Sequence, residues 1–206
     1  MPGRTLVRVL IALSATSWAN GQALSTRFPV FDSVRALVID STQEPGPVRL
    51  DLDVQVMVWA PTALMPVPFL RLAHTQGGDL QADVFVWWSH AAYVPDDRLP
   101  QNRRCRAPGQ SSPVCVAKID VAGSVDWGHQ LANIFASRAC SLSLHSGPVR
   151  VVADAGDLVV RVYEAGTDRY EEYSCNAPRG DTSAGARQAA EVMDVLEKAV
   201  TAARRQ

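Results

Sequence analysis

Apolar and polar residues alternate with period two over residues 49–59. Leu50, Leu52, Val54, Val56 and Val58 fall on one face, and Asp51, Asp53, Gln55 and Met57 on the other. Successive side chains of a strand point to opposite faces, so this is the clearest strand signal in the chain. Shorter apolar runs predict strands at 34–39, 69–73, 80–88 and 114–121. Gly77-Gly78 between two of these runs predicts a hairpin. Prolines and glycines at 43–47, and prolines at 61, 66 and 68, mark the breaks between them.

The period changes after residue 123. Ser124 or Asp126 can cap a helix that carries Leu131, Ile134 and Phe135 on one side. Alternation returns in Cys140-Ser-Leu-Ser-Leu144. Three further strands are predicted at 149–153, 158–164 and 170–175, joined by the turns around Gly156 and Gly166 as an antiparallel meander. A last helix spans about 183–204. Ala186, Ala189, Met193, Leu196, Val200 and Ala203 recur at three- and four-residue steps, an alanine-rich stripe suited to lying close against a sheet. The order predicts an α+β fold: a largely antiparallel β-sheet with one central helix and a long C-terminal helix packed on the sheet.

The first 23 residues break the pattern. Arg4 and Arg8 precede a short apolar run that starts at Val9 and is followed by small residues, the order of a secretory signal with cleavage after Ala19 or Ala23. The run is too short to span a bilayer. The expected organisation is a signal peptide, 1–23, and a single domain, 24–206. Whether that domain divides into a β-rich half, 24–122, and a helix-meander-helix half, 123–206, is left open.

Composition narrows the reading further. The 206 residues are 47% hydrophobic and 20% charged, a globular profile. The formal net charge of −1 argues against a general nucleic-acid binder. Lys118 and Lys198 are the only lysines, an arginine bias typical of GC-rich bacterial coding. Cys105, Cys115, Cys140 and Cys175 form an even set behind a signal peptide, which implies disulfides. Of the three possible pairings the expected one is Cys105–Cys115, closing a short polar loop, with Cys140–Cys175 tying the segment after the helix to a late strand. No CxxC or histidine spacing suggests zinc, and no phosphate loop or dinucleotide fingerprint suggests a cofactor.

Candidate chemistry is sparse. Arg103, Arg104 and Arg106 flank Cys105 and could bind a carboxylate, a phosphate or an acidic polymer. Trp88 and Tyr93, with Trp59, could form an aromatic groove, although adjacent Trp87 and Trp88 on a strand must send one ring inward. Glu164 and Glu171 could face each other across a hairpin as an acid–base pair, against the plainer reading of a polar outer face. Ser183 reads as a helix cap rather than a nucleophile. Arg179-Gly180-Asp181, the cell-adhesion tripeptide, reads as a chance match in a turn, and His74, His90, His129 and His145 are scattered. The sequence therefore points to a secreted or periplasmic binding or cell-envelope accessory protein, with an extracytoplasmic protein or polymer as partner. The alternatives are a secreted hydrolase with a dispersed site and an inhibitor or immunity factor that presents the Cys105–Cys115 loop.

Overall fold

A computed structural model describes residues 29–42, 50–59, 66–75, 78–89, 101–105, 114–121, 123–143, 156–164, 167, 169–176, 178–180 and 183–203. Seven strands form one antiparallel sheet: β1 (Leu50–Trp59), β2 (Val67–Thr75), β3 (Leu80–Ser89), β4 (Arg104–Cys105), β5 (Val114–Ile119), β6 (Asp157–Tyr163) and β7 (Tyr170–Cys175). Their order is β4-β5-β3-β2-β1-β6-β7. The helices are α1 (Pro29–Thr42), α2 (Trp127–Ala136), α3 (Arg138–Ser143) and α4 (Ala184–Ala203). The α+β class and the long C-terminal helix are as the pattern predicts.

The alternating strand β1 lies inside the sheet, between β2 and β6. Both of its faces are covered. Val54, Val56 and Val58 join Leu70, Leu72, Leu158 and Val160 in a core with α2, α3 and α4. Met57 joins Phe69, Phe85, Trp87 and Val159 in a second core beneath α1. The molecule is thus three layers, with α1 on one face of the sheet and the other helices on the opposite face. Fully burying one large apolar side chain is worth about 1.5–3 kcal/mol, so Phe31, Phe69 and Phe85 dominate the second core.

Two expected strands are helices. Residues 34–39 lie in α1, because Phe31, Val34 and Val38 recur at three and four residues and are fully buried as one stripe. Pro29 suits the first helical position, where no intrahelical donor is needed. The β-branched run Val38-Ile39 mimicked a strand. Likewise Cys140-Ser-Leu-Ser-Leu144 begins within α3, since five residues are too few to separate period two from period 3.6. The single central helix expected is accordingly two short ones. Segment 149–153 lies outside the described residues. The remaining hairpin, β6 to β7, is as expected, closed by Glu164 N–H donating to Arg169 O at 2.9 Å.

The caps follow the sequence. Asp126 Oδ1 accepts from His129 N–H at 2.9 Å, and Ser183 Oγ accepts from Ala186 N–H at 3.3 Å. Both cystines form as expected, Cys105–Cys115 and Cys140–Cys175, and no described helix is long and apolar enough to cross a membrane.

The second cystine sits where α3 meets α4 at its closest approach. A Cβ on Gly185 would stand 2.9 Å from Ala139 C and closer still to Cys140 N. Gly185→Ala would gain about 1 kcal/mol of helix propensity. It must also push α3 off α4 against the Cys140–Cys175 bond, and overpacking of this kind costs about 1–3 kcal/mol. A net loss of stability is expected in urea unfolding, in contrast to the gain usual for Gly→Ala inside a helix.

Candidate functional site

Five of the strands carry a polar residue at the same level of the α1 face. The register sets Asp83 opposite Arg71, Arg71 opposite Gln55, Gln55 opposite Arg161, and Arg161 opposite Glu172. All but Glu172 are buried, with Gln55 and Arg161 fully so. A sheet covered on both faces has no solvated side, so polar residues at these positions must find partners within the protein.

They do so through Asp53, Lys118, Gln81 and Asp32, and through the Arg161–Glu172 pair within the row. Arg71 grips Asp53 with two bonds, Nε to Oδ1 and Nη2 to Oδ2, both 3.2 Å. Gln55 Nε2 donates to the same carboxylate at 3.2 and 3.3 Å. Lys118 Nζ lies 2.5 Å from Asp83 Oδ1, and Gln81 Nε2 donates to Asp83 Oδ2 at 3.3 Å. On the other side, Arg161 Nε donates to Glu172 Oε2 at 2.7 Å and Nη1 to Asp32 Oδ1 of α1 at 2.5 Å. The Arg161 guanidinium also lies between two rings, 4.1 Å from the centroid of Phe31 and 4.3 Å from that of Tyr170. Arg35 of α1 stands over Tyr163 at 4.4 Å.

Arg161 holds its proton more tightly than a free arginine. Burial alone would lower its pKa, but the hydrogen bonds to Glu172 and Asp32 outweigh it. Burial pushes Tyr163 upward, against the lowering pull of Arg161 and Arg35. Arg161 Nη2, Tyr163 Oη and Gln55 Oε1 are buried without a well-formed hydrogen bond. Every carboxylate in the row faces a cation, so the array is an electrostatic clasp between strands and α1, with no unengaged base for proton transfer. Among the described residues no three His, Cys, Asp or Glu side chains gather as a metal site.

The arginine edge is the second feature. Arg103 and Arg104 are exposed, while Arg106 lies outside the described residues. Cys105 stands directly opposite Cys115 in the β4–β5 ladder and is bonded to it. The chain before β4 is also tied down, since Asn102 Nδ2 donates to Lys118 O at 2.9 Å.

The expected aromatic groove does not form from the described residues. Trp88 is 5% exposed and packs with Val86, Cys115, Ala117 and Val200 under α4. Trp87 is buried on the other face, stacked on Trp59 at 5.9 Å. Helices cover both sides of this strand, so neither ring is left for a ligand. Tyr93 lies outside the described residues. Glu164 and Glu171 do not face each other: Glu171 is opposite Val162 and pairs with Arg138, and Glu164 lies beyond the ladder. Arg179 is engaged by Asp194 and Glu197 of α4. His74 lies by Asp51 and His129 by Glu191; His90 and His145 are outside the described residues.

The charged row escaped sequence reasoning, although its signal is visible. Arg71 interrupts Phe69-Leu-Arg-Leu-Ala, Gln55 interrupts Val-Gln-Val, and Arg161 interrupts Val-Val-Arg-Val-Tyr. A lone polar residue in the middle of an apolar strand is the mark of a buried pair.

Compared with known protein families, curated proteins and solved structures, the chain has no significant match.

Two measurements test the clasp. Arg161→Leu should cost about 3 kcal/mol in urea unfolding, near the low end for breaking a buried pair because Asp32 and Glu172 can reach water. Arg161→Lys should recover less than half of that, since an ammonium cannot fork to two carboxylates and stack between two rings. The tyrosines set the alkaline limit. Burial raises Tyr163, Tyr170 and Tyr173 above the ordinary 10.0, so the folded state holds their protons longer than the unfolded chain does. Their contribution is complete below pH 10 and is lost as pH rises from there toward the folded values. Urea midpoints should fall above pH 10, and Tyr173→Phe should flatten that fall. The variant should also cost about 1 kcal/mol at pH 8, because it removes the 2.7 Å bond from Tyr173 Oη to Ile134 O.

Proposed function

We propose that the protein is an exported binding module whose contact element is the arginine edge, Arg103 and Arg104 continued by Arg106, and whose partner is a polyanion outside the cytoplasm. The observation that carries this reading is the placement of two exposed arginines, Arg104 on β4 and Arg103 just before it, on a segment bonded by Cys105–Cys115 directly onto buried β5. Arginines on an anchored backbone lose less freedom on binding than arginines on a loose loop, and their forked donors match carboxylate and phosphate oxygens. Two cystines and the charged-apolar-small order of residues 1–23 support the address, since disulfides persist in oxidising compartments. The net charge helps define the partner. Without Arg4 and Arg8 the exported chain carries about −3, so attraction to a polyanion must come from a local patch.

The test begins with the chain expressed with its own leader in a bacterial host. Its intact mass should show loss of about 19–23 residues and no thiol open to alkylation without reductant. Passed over immobilised polyglutamate at low salt, that protein should be retained and should elute as salt rises. The triple variant R103E/R104E/R106E should flow through with an unchanged melting temperature. Full-length protein with reactive thiols would overturn the address, and equal retention of the variant would overturn the binding element.

A further inference from the structure

The two cystines hold the fold in different ways. Cys140 and Cys175 are each 1% exposed and join α3 to β7 inside the main core. Cys115 is also buried, at 2%, but its partner Cys105 is exposed at the edge of the sheet. The strand that carries Cys105 is two residues long, and both of its residues are exposed. Its ladder consists of Arg104 opposite Val116 and Cys105 opposite Cys115. Beneath it, β5 buries Val114, Cys115, Val116 and Ala117 on both faces, to 1–2%. An apolar strand of this kind, left as a sheet edge, presents free backbone donors and acceptors beside apolar side chains, the arrangement that proteins avoid at edges.

From this contrast we infer that Cys105–Cys115 is a reducible latch that keeps β4 over the edge of β5, while Cys140–Cys175 is a permanent staple. Exposure decides which bond a reductant reaches, because thiol–disulfide exchange requires a thiolate to approach a sulfur in line. A dithiol donor supplies the chemistry. Its first thiolate attacks Cys105 Sγ, the Cys105–Cys115 bond breaks, and a mixed disulfide forms on Cys105. The Cys115 thiolate that leaves takes up a proton. The donor's second thiol then closes the donor's own disulfide and frees Cys105, so two electrons pass from donor to protein. Without the bond, two ladder positions and the exposed Asn102–Lys118 hydrogen bond are too few to offset the entropy of holding the segment in place. It detaches, and the outward edge of β5 opens. The latch does not depend on the arginine edge having a ligand.

Dithiothreitol titration of the folded, oxidised protein tests this, with stepwise alkylation and peptide mass mapping. Cys105 and Cys115 should label at a reductant concentration at least tenfold below that needed for Cys140 and Cys175. Hydrogen exchange on the selectively reduced protein should show faster exchange at the β5 amides facing β4, with β1 and β6 unchanged. The variant C105S/C115S should reproduce that exchange pattern without reductant. Simultaneous reduction of the two bonds would overturn the latch. So would full protection of β5 in the reduced protein, or failure of C105S/C115S to fold, which would make the bond part of the core fold. A protein that shows the latch yet ignores polyglutamate keeps this inference and loses the binding one.

Discussion

Covering both faces of a seven-stranded antiparallel sheet leaves no solvated side for polar residues, and Arg161 is where this constraint is sharpest. Its guanidinium is fully buried on β6. It remains charged because Glu172 of β7, Asp32 of α1 and the rings of Phe31 and Tyr170 replace its water. Those same contacts fix the pairing of β6 with β7 and the seat of α1. A register slip of one residue would turn Arg161 into the opposite, apolar core and Val160 or Val162 out of it. The charge thus specifies the arrangement more than it stabilises it, since a buried ion pair scarcely recovers its desolvation cost.

The opposite face obeys a different rule. Val54, Val56, Leu70, Leu72, Leu158 and Val160 present an apolar surface to α4, whose small Ala186 and Ala189 permit close approach. Its polar contacts are few: Arg138 of α3 pairs with Glu171 of β7 at the rim. Tyr173 and Ser137 converge on one carbonyl, Ile134 O, at the end of α2, and the Cys140–Cys175 bond locks α3 beside them. Covalent and steric constraints do on this face what charge does on the other.

How much of this was legible in the sequence follows from how local each signal is. The strands β1, β3 and β5, the long helix α4, the Asp126 and Ser183 caps and both cystine pairings rest on spacing within a few residues or on cysteine count, and each stands in the structure. α1 was misread because Val38-Ile39 carries strand propensity, while the stripe of Phe31, Val34 and Val38 acquires meaning only against the sheet it covers. The charged row was missed for a similar reason. Arg71 and Asp83 become neighbours through β2–β3 pairing, and Arg161 meets Asp32 from 129 residues away. Trp88 was offered to a ligand because a strand pattern cannot say whether its second face is covered, and here α4 covers it through Val200.

The two faces also rank the attachments of the outer elements. α3 is covalently bonded to β7, and α4 packs through eight buried residues. α1 carries no cysteine and holds the sheet through Phe31, Val34 and Val38 together with the Asp32–Arg161 bond. That bond ends on a carboxylate more than half exposed to water, so salt and solvent weaken it as they do any surface pair. The apolar stripe must therefore supply most of the attachment of α1, and the buried charge beneath supplies its position. At the far edge, β4 has two ladder positions, an exposed cystine and the Asn102–Lys118 bond beside it, with neither of its residues buried. Local stability should descend from the α4 face, through α1, to the arginine edge, because buried apolar contact and covalent constraint diminish in that order.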